Sequence, residues 1–88
     1  MLNRVYQKKF IKDIERAKKR GKDINKLSTV IDILLEEKIL HAKYKNHKLH
    51  GEYKGYWECH IEPNWLLVYK KVSKDLILAR TGTHSDLF

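Results

Sequence analysis

The sequence predicts one α+β domain, in which a short strand and two helices precede an antiparallel meander of four strands. Eighty-eight residues leave room for a single hydrophobic core, so residues 1–88 are expected to form one domain. Apolar residues recur at helical spacing in the first half of the chain and alternate at strand spacing in the second half. Because helices and strands are segregated in this way, we expect both helices to pack on one face of the sheet.

The first half of the chain contains a short strand and a helical hairpin. Residues 2–6 can form a strand, and residues 7–20 carry an apolar stripe on an otherwise basic helix. Gly21 is predicted to end this helix, and Asp23 is predicted to be the N-cap of the next one. The second helix has a full apolar face and is predicted to end near residues 37–38. Two such helices joined by a short loop predict an antiparallel hairpin.

The second half of the chain begins with a loop and continues as strands joined by tight turns. Residues 39–48 are polar and show no period, which predicts a loop. The predicted meander then consists of a strand from residue 49, a hairpin turn at 53–56, a strand at 56–61, a turn at Pro63 and Asn64, a strand at 65–71, a turn at 73–75 and a strand at 76–80. Gly82 is expected to break the last strand, and residues 83–88 to form a short tail.

The strand at 56–61 separates its side chains into two sets. Trp57, Cys59 and Ile61 point to one face, and the residues that alternate with them point to the other. If the apolar set packs on the helices, His60 lies on the open face of the sheet. Cys59 is the only cysteine, so no disulfide staples the fold, and a single half-buried thiol suits a reducing cytoplasm.

The chain is strongly basic. Nineteen Lys and Arg residues against eleven Asp and Glu residues give a formal net charge of +8 at pH 7, and the sequence pI is about 9.6. Such a charge attracts polyanions, nucleic acid above all, although many small proteins are basic for solubility alone. No segment approaches the roughly 18 apolar residues of a membrane span, and the N-terminus lacks the apolar region of a signal peptide. We therefore expect a cytoplasmic protein with a nucleic-acid partner and no membrane contact.

The histidines raise the question of whether some of them converge. The five are His41, His47, His50, His60 and His84. Their spacing matches no metal-binding motif, and we expect neither a metal nor another cofactor. His60 ends a strand on the open face, Arg80 closes the last strand, and His84 follows shortly afterwards. Imidazoles and a guanidinium on a basic sheet suit acid–base chemistry on a phosphodiester, although each residue alone is more often an ordinary surface or ion-pair residue.

RNA is the polyanion that such a cluster could cleave without a metal, because RNA carries its own nucleophile, the 2′-hydroxyl. One histidine would deprotonate that hydroxyl, and a second would protonate the leaving 5′-oxygen. An arginine would stabilise the charged phosphorane that forms between these two steps. DNA lacks the 2′-hydroxyl and offers no such route.

A set of short motifs in the second half of the chain occurs together in one known family. They are Lys45-Asn46-His47, Leu49-x-Gly51, Lys54-Gly55-Tyr56, Cys59-His60-Ile61-Glu62-Pro63, Trp65-Leu66-Leu67-Val68-Tyr69 and the final segment from Arg80 to Phe88. With these motifs, and with two helices of matching size and position, nearly the whole chain resembles the YafQ-type toxins of the RelE/ParE superfamily. The resemblance implies a RelE-like fold.

The resemblance also implies a function. Such toxins belong to type II toxin–antitoxin systems, enter the ribosomal A site and cleave the mRNA there without a metal. An acidic antitoxin, often of the DinJ type, neutralises the toxin, and operator DNA is bound only through the toxin–antitoxin complex. Two alternatives remain open: ParE-type relatives share the fold but poison DNA gyrase, and a basic domain of this size could bind RNA or ribosomes without cleaving.

The family's functional residues carry over motif by motif. Its functional histidines fall on His47, His60 and His84, and its active-site aspartate falls where this chain has Asn64. The roles implied are His84 as general acid and either His47 or His60 as general base, with Arg80 stabilising the phosphorane. An aspartate would favour protonated imidazoles, whereas the asparagine brings no charge.

Further residues are expected to contact the substrate or the ribosome. Trp65 and Phe88 would pack or stack around the substrate bases, and Lys54 is assigned to substrate binding with them. The basic side of the first helix is expected to contact ribosomal RNA phosphates. Its residues are Lys8, Lys9, Lys12, Arg16, Lys19 and Arg20. The alternative for this side of the helix is that it holds the acidic antitoxin or is merely solvated.

Overall fold

A five-stranded mixed sheet forms the centre of the fold in the computed structural model, which describes residues 1–88. The elements in chain order are β1 (Asn3–Tyr6), α1 (Lys8–Lys19), α2 (Ile24–Leu35), β2 (His47–Lys48), β3 (Trp57–Glu62), β4 (Trp65–Val72), β5 (Asp75–Gly82) and α3 (His84–Leu87), with 3₁₀ turns at Ala42–Tyr44 and Gly51–Tyr53. The strand order across the sheet is β1-β5-β4-β3-β2. β1 pairs parallel with β5, and all other neighbours are antiparallel.

The predicted α+β architecture is confirmed, with one correction at the start of the meander. Both long helices are present, and the N-terminal strand joins the sheet at its far edge, beside β5. The first meander strand is His47–Lys48, inside the segment predicted as a loop, and residues 49–56 form its connection to β3. A strand of two residues is too short to show a strand period, so the sequence pattern missed it.

The C-terminal segment needs a second correction. Gly82 does not break β5, because it pairs with Leu66 as the last residue of the strand. The chain then turns into α3, a single helical turn, where the sequence predicted only a short tail. α3 packs through Leu87 against Leu66 and Val68, on the face of the sheet opposite α1 and α2. Only the two long helices therefore share one face.

The helix ends follow from capping chemistry. Gly21 has a φ of 76°, and the N–H of Lys22 donates to the carbonyl of Ala17, which closes α1 as predicted. The carboxylate of Asp23 accepts a hydrogen bond of 3.0 Å from the N–H of Asn25 and caps α2. None of the helices has the length and apolarity that crossing a membrane requires.

The main hydrophobic core lies between the two long helices and one face of the sheet. Its fully buried members include Phe10, Leu27, Val30, Leu35, Trp65, Leu67 and Leu78. Cys59 and Ile61 belong to the same core, as the predicted alternation of β3 requires. Cys59 is fully buried, and this burial raises the pKa of its thiol to about 12, which disfavours the reactive thiolate form.

The opposite face of the sheet carries a smaller apolar cluster. Leu66, Val68, Ala79 and Leu87 form it, and residues of the 49–56 connection pack against its edge. No long helix covers this face. Polar side chains of β3 and β5 can therefore reach the surface there, and this is the face to which His60 points.

Candidate active site

Strand register brings predicted site residues onto one face of the sheet. His47 lies opposite Glu58 in the β2–β3 pair. Val68 of β4 pairs with Glu58 of β3 on one side and with Arg80 of β5 on the other. Cross-strand partners share a face, so these four side chains form one row across four strands. His60 stands two residues beyond Glu58 in β3 and therefore points to the same face.

The three histidines predicted to be catalytic come together on this face, and we refer to His47, His60 and His84 as the imidazole cluster. The ring centroid of His60 lies 6.3 Å from that of His47 and 6.1 Å from that of His84. α3 brings His84 back over the sheet because it folds across β4 directly after β5 ends. His41 and His50, which matched no catalytic position, are exposed loop residues.

A buried carboxylate that sequence reasoning missed supports the imidazole cluster. Glu58 is 4% exposed, and its Oε1 lies 3.5 Å from Nε2 of His47 and 3.5 Å from Nε2 of His60. A carboxylate in this position orients imidazoles and offsets the charge of an imidazolium. The sequence did contain a sign of this contact, because Glu58 lies two residues before His60 in the same strand and so points to the same face. No group of three or more His, Cys, Asp or Glu side chains has the geometry to hold a metal ion.

The loop before β2 fixes the ring of His47. Lys45 has a left-handed conformation, with a φ of 49°, and its carbonyl oxygen lies 2.7 Å from Nδ1 of His47. A carbonyl oxygen only accepts hydrogen bonds, so Nδ1 carries the hydrogen. In the neutral ring, Nε2 is then unprotonated and able to accept a proton.

Arg80 is held by a buried aspartate of α1. Nε of Arg80 donates to Oδ2 of Asp13 at 2.7 Å, and Nη2 donates to Oδ1 at 3.2 Å. The same carboxylate accepts from the N–H of Thr81 at 3.1 Å and from Nη2 of Arg16 at 2.6 Å. The hydrogen bonds to Asp13 raise the pKa of Arg80. A fully charged guanidinium is thus fixed in the row that contains Glu58.

Arg16 of α1 and Arg20, the residue directly after α1, hold the helix that carries His84. Arg20 donates to both oxygens of Asp86, at 2.7 Å and 3.2 Å, and Nε of Arg16 lies 3.8 Å from the same carboxylate. Asp86 and Thr83 also form a reciprocal capping box, with hydrogen bonds of 2.9 Å and 3.2 Å. The hydrogen bond from Arg20 holds the pKa of Asp86 well below its usual range. We call the contacts of Asp86 with Arg16 and Arg20 the α3 clamp.

The basic side of α1 therefore divides into two parts. Arg16 and Arg20 form ion pairs with Asp13 and Asp86 of the same chain, so their contacts in this structure are structural. The remaining basic residues selected on this helix are exposed and form no ion pair. They are Lys8, Lys9, Lys12 and Lys19. The prediction that this helix contacts RNA phosphates now depends on these four lysines.

Phe88 and Tyr53 lie at the edge of the imidazole cluster. Phe88 is 59% exposed, and its ring centroid lies 6.3 Å from that of His84 and 5.4 Å from that of Tyr53. An exposed ring beside the imidazole cluster is a surface on which an RNA base can stack. Lys54 is exposed next to Tyr53 in the 49–56 connection, and its assignment to substrate binding stays a prediction.

Trp65 does not lie in the imidazole cluster. It is 1% exposed, and its Nε1–H donates to Oγ1 of Thr81 at 2.9 Å inside the core. The prediction that Trp65 stacks on substrate bases is therefore wrong. β4 turns it toward the long helices, and its neighbour Leu66 toward the opposite face.

Asn64 is also separate from the imidazole cluster. It is exposed in the turn between β3 and β4, where it lines a small cleft with Arg16, Arg20, Thr83 and Asp86. No imidazole lines this cleft. Asn64, for which the resemblance implies an aspartate in the family, thus lies beside the α3 clamp and near the short helix that carries His84.

Comparisons with known proteins identify the family. Residues 2–88 match the family model described as the bacterial toxin of type II toxin–antitoxin system, YafQ. The mRNA interferase toxin YafQ of Escherichia coli K12 is 45% identical over 84 residues, which cover 94% of this chain and 91% of that protein.

Solved structures agree. A chain of the crystal structure of the E. coli DinJ–YafQ complex matches with a TM-score of 0.92 and 43% identity, over 100% of this chain and 99% of that one. A metal-bound toxin from Helicobacter pylori matches with a TM-score of 0.94 and 42% identity, over 100% of both chains. This chain belongs to the YafQ family, the toxins of type II toxin–antitoxin systems.

Proposed function

We propose that this protein is a toxin that cleaves mRNA in the ribosomal A site by acid–base catalysis, with the RNA 2′-hydroxyl as nucleophile. The observation that carries the proposal is the convergence of His47, His60 and His84 on one sheet face that also presents Arg80. The relative from E. coli supports the substrate class, because it is an mRNA interferase.

His47 is assigned as the general base. The carbonyl of Lys45 binds the hydrogen on Nδ1, so Nε2 is free to take the proton of the 2′-hydroxyl. Once protonated, Nε2 lies 3.5 Å from the carboxylate of Glu58, which offsets the new charge. His60, the other candidate base, has no backbone contact that selects its tautomer. We therefore choose His47 over His60.

His84 is assigned as the general acid, on the opposite side of the scissile phosphate. The attacking and leaving oxygens lie in line through phosphorus, so base and acid must flank it. His60 stands between the other two rings, at 6.3 Å and 6.1 Å, which suits it to contact the phosphate itself. Arg80 and His60 would donate to the phosphorane oxygens, and Phe88 would stack on the base of the leaving nucleotide.

Primer extension on a reporter mRNA after induction of the protein tests this function. Cuts in phase with codons, together with growth arrest, are the expected result. A single 2′-deoxy substitution at the nucleotide 5′ of the cut should abolish cleavage, because it removes the nucleophile. Intact mRNA combined with a DNA-damage response would overturn the proposal in favour of gyrase poisoning.

The proposed partner is an acidic, DinJ-like antitoxin. Support comes from the DinJ–YafQ complex of a relative and from the net charge of +8 on this chain. Operator DNA would bind only to the complex of toxin and antitoxin. Co-expression of a small acidic protein from the neighbouring reading frame should restore growth, and purification should recover both chains together.

Glu58→Gln is expected to lower the rate of mRNA cleavage about 10²-fold, because the charge that offsets protonated His47 is lost. Glutamine keeps the size of the side chain, so the variant should fold. Single-turnover cleavage on programmed ribosomes measures the effect. Glu52→Gln, at an exposed position in a 3₁₀ turn, is the control. Equal rates for the Glu58 variant and the wild type would show that Glu58 has no part in catalysis.

Charge reversal at Lys8, Lys9 and Lys12 is expected to weaken binding to ribosomes and to lower the slope of log Kd against log salt by roughly two. These lysines are exposed and unpaired, so folding should not change. Binding would be measured at several salt concentrations, for ribosomes and for the antitoxin in parallel. Unchanged ribosome binding would mean that this part of α1 is only solvated or serves the antitoxin.

Asn64→Asp is expected to raise mRNA cleavage. A carboxylate in the cleft beside Thr83 adds negative charge next to the helix that carries His84, and negative charge stabilises an imidazolium, the form a general acid needs. The same ribosome cleavage assay measures the change, with Asn64→Ser as the uncharged control. Unchanged or lower activity in the aspartate variant would contradict a role for charge at this position.

A further inference from the structure

A basic groove of about 490 Å³ opens along an unpaired edge of the sheet. β2 pairs with β3 only at Trp57 and Glu58, so the outer edge of β3 from residue 59 to residue 62 has no neighbouring strand. The groove lies between this edge, α2 and the 3₁₀ turn Ala42–Tyr44. His60 is part of its lining, so the groove is continuous with the imidazole cluster.

The groove has positive charge that no group of the protein neutralises. Its lysines are Lys26, Lys43 and Lys45, and its only acid is Glu62. Lys26 donates to Glu62 at 2.8 Å, which offsets that carboxylate. Nζ of Lys43 lies 5.1 Å from the ring centroid of Tyr44, and neither Lys43 nor Lys45 has a carboxylate partner. Two ammonium groups beside His60 are thus available to an anionic ligand.

We infer that this groove is the subsite for the RNA strand on the 5′ side of the scissile phosphate, with Lys43 and Lys45 binding its phosphates. The inference rests on the proposed function and extends it to the path of the substrate. Its direction follows from Lys45, whose carbonyl holds the ring of His47. The groove therefore adjoins the general base, and the base acts on the 2′-hydroxyl of the nucleotide 5′ of the scissile phosphate.

The side of the site that contains the general acid, His84, would bind the RNA on the 3′ side of the scissile phosphate. His84 protonates the oxygen of the 3′ nucleotide, and Phe88 and Tyr53 stand next to it. An RNA whose scissile phosphate lies at His60 must continue on both sides of that residue. The groove is the basic path on the side of His47. An acidic peptide could also bind two lysines, but it would gain nothing from a lining shared with His60.

The double variant Lys43→Gln/Lys45→Gln tests the subsite in the ribosome cleavage assay. The backbone carbonyl that holds His47 remains, so kcat should stay unchanged. We expect KM for programmed ribosomes to rise about tenfold, and the slope of log KM against log salt to fall by about 1.4, for two lost phosphate contacts on a single strand. Lys18→Gln/Lys74→Gln removes the same charge at exposed positions outside the groove and should keep the wild-type KM.

Photo-crosslinking tests the direction. In a His84→Ala background, in which cleavage is expected to be slow, 4-thiouridine directly 5′ of the cleavage site should crosslink to residues 43–45. The same label directly 3′ of the site should not. Crosslinks from the 3′ label alone, or none from the 5′ label, would overturn the inference.

An unchanged KM in the lysine variant would also overturn the subsite, and weaker antitoxin binding with that result would assign the groove to a peptide. These outcomes can be distinguished from failure of the proposed function. If the proposed function fails, the wild-type protein itself would leave mRNA on ribosomes uncut.

Discussion

His84→Ala is expected to reduce mRNA cleavage on ribosomes by about 10²–10⁴-fold and to abolish growth arrest on induction. The imidazole stands in the first turn of α3, with its ring against those of His60 and Phe88. On the proposed mechanism, alanine leaves the departing 5′-oxygen without a proton donor. Single-turnover cleavage at several pH values measures the loss.

The fold should tolerate the His84 substitution, because the side chain is exposed and α3 remains anchored. Leu87 still packs on the sheet, and Asp86 still binds Arg20. Urea unfolding should therefore give the wild-type free energy. His50→Ala removes another exposed histidine, outside the imidazole cluster, and should retain full cleavage. Undiminished toxicity of the His84 variant would exclude this histidine as the general acid.

The second large effect is on stability. Asp13→Asn is expected to lower the free energy of unfolding by about 3–5 kcal/mol, because it removes the buried charge that compensates Arg80. Asp13 is 3% exposed and accepts four hydrogen bonds, from Arg80, Arg16 and the backbone of Thr81. For a chain of this size, that loss is a large fraction of the total stability. Urea denaturation monitored by tryptophan fluorescence measures it.

A matched variant separates burial from charge. Asp32→Asn breaks the ion pair with Arg4, in which both side chains are exposed, and should cost only about 0–1 kcal/mol. Cleavage should fall in the Asp13 variant even at temperatures where it remains folded, since Arg80 loses its anchor. Equal destabilisation by both variants would contradict the structural role of Asp13.

Helices and strands whose apolar residues recur at regular spacing could be predicted from the sequence. The faces to which their side chains point could be predicted with them. The alternation in β3 placed His60 on the open face because Cys59 and Ile61 had to be buried. β4 offers no such alternation, since its residues 65–69 form a continuous apolar run that is buried on both faces. Trp65 could therefore not be assigned to a face from the sequence, and its assignment to the substrate was wrong.

The contacts that assemble the site could not be predicted, because they join distant segments. Asp13 looks like a solvated acid on a basic helix, and its partner Arg80 lies 67 positions away. Its burial depends on the parallel pairing of β1 with β5, which carries α1 along β5. The α3 clamp likewise joins Arg20 to Asp86. Local patterns carry no information about such pairs.

The parallel pairing of β1 with β5 also has a consequence for the synthesis of the toxin. β5 lies between β1 and β4, so the sheet cannot close until residues 75–82 have left the ribosomal exit tunnel. Arg80 and His84 emerge at the same late stage, after their contact partners Asp13 in α1 and His60 in β3. On the proposed mechanism, a nascent chain is inert toward the ribosome that is translating it. Activity on that mechanism requires both Arg80 and His84 outside the tunnel, so completion of the sheet and completion of the proposed site coincide.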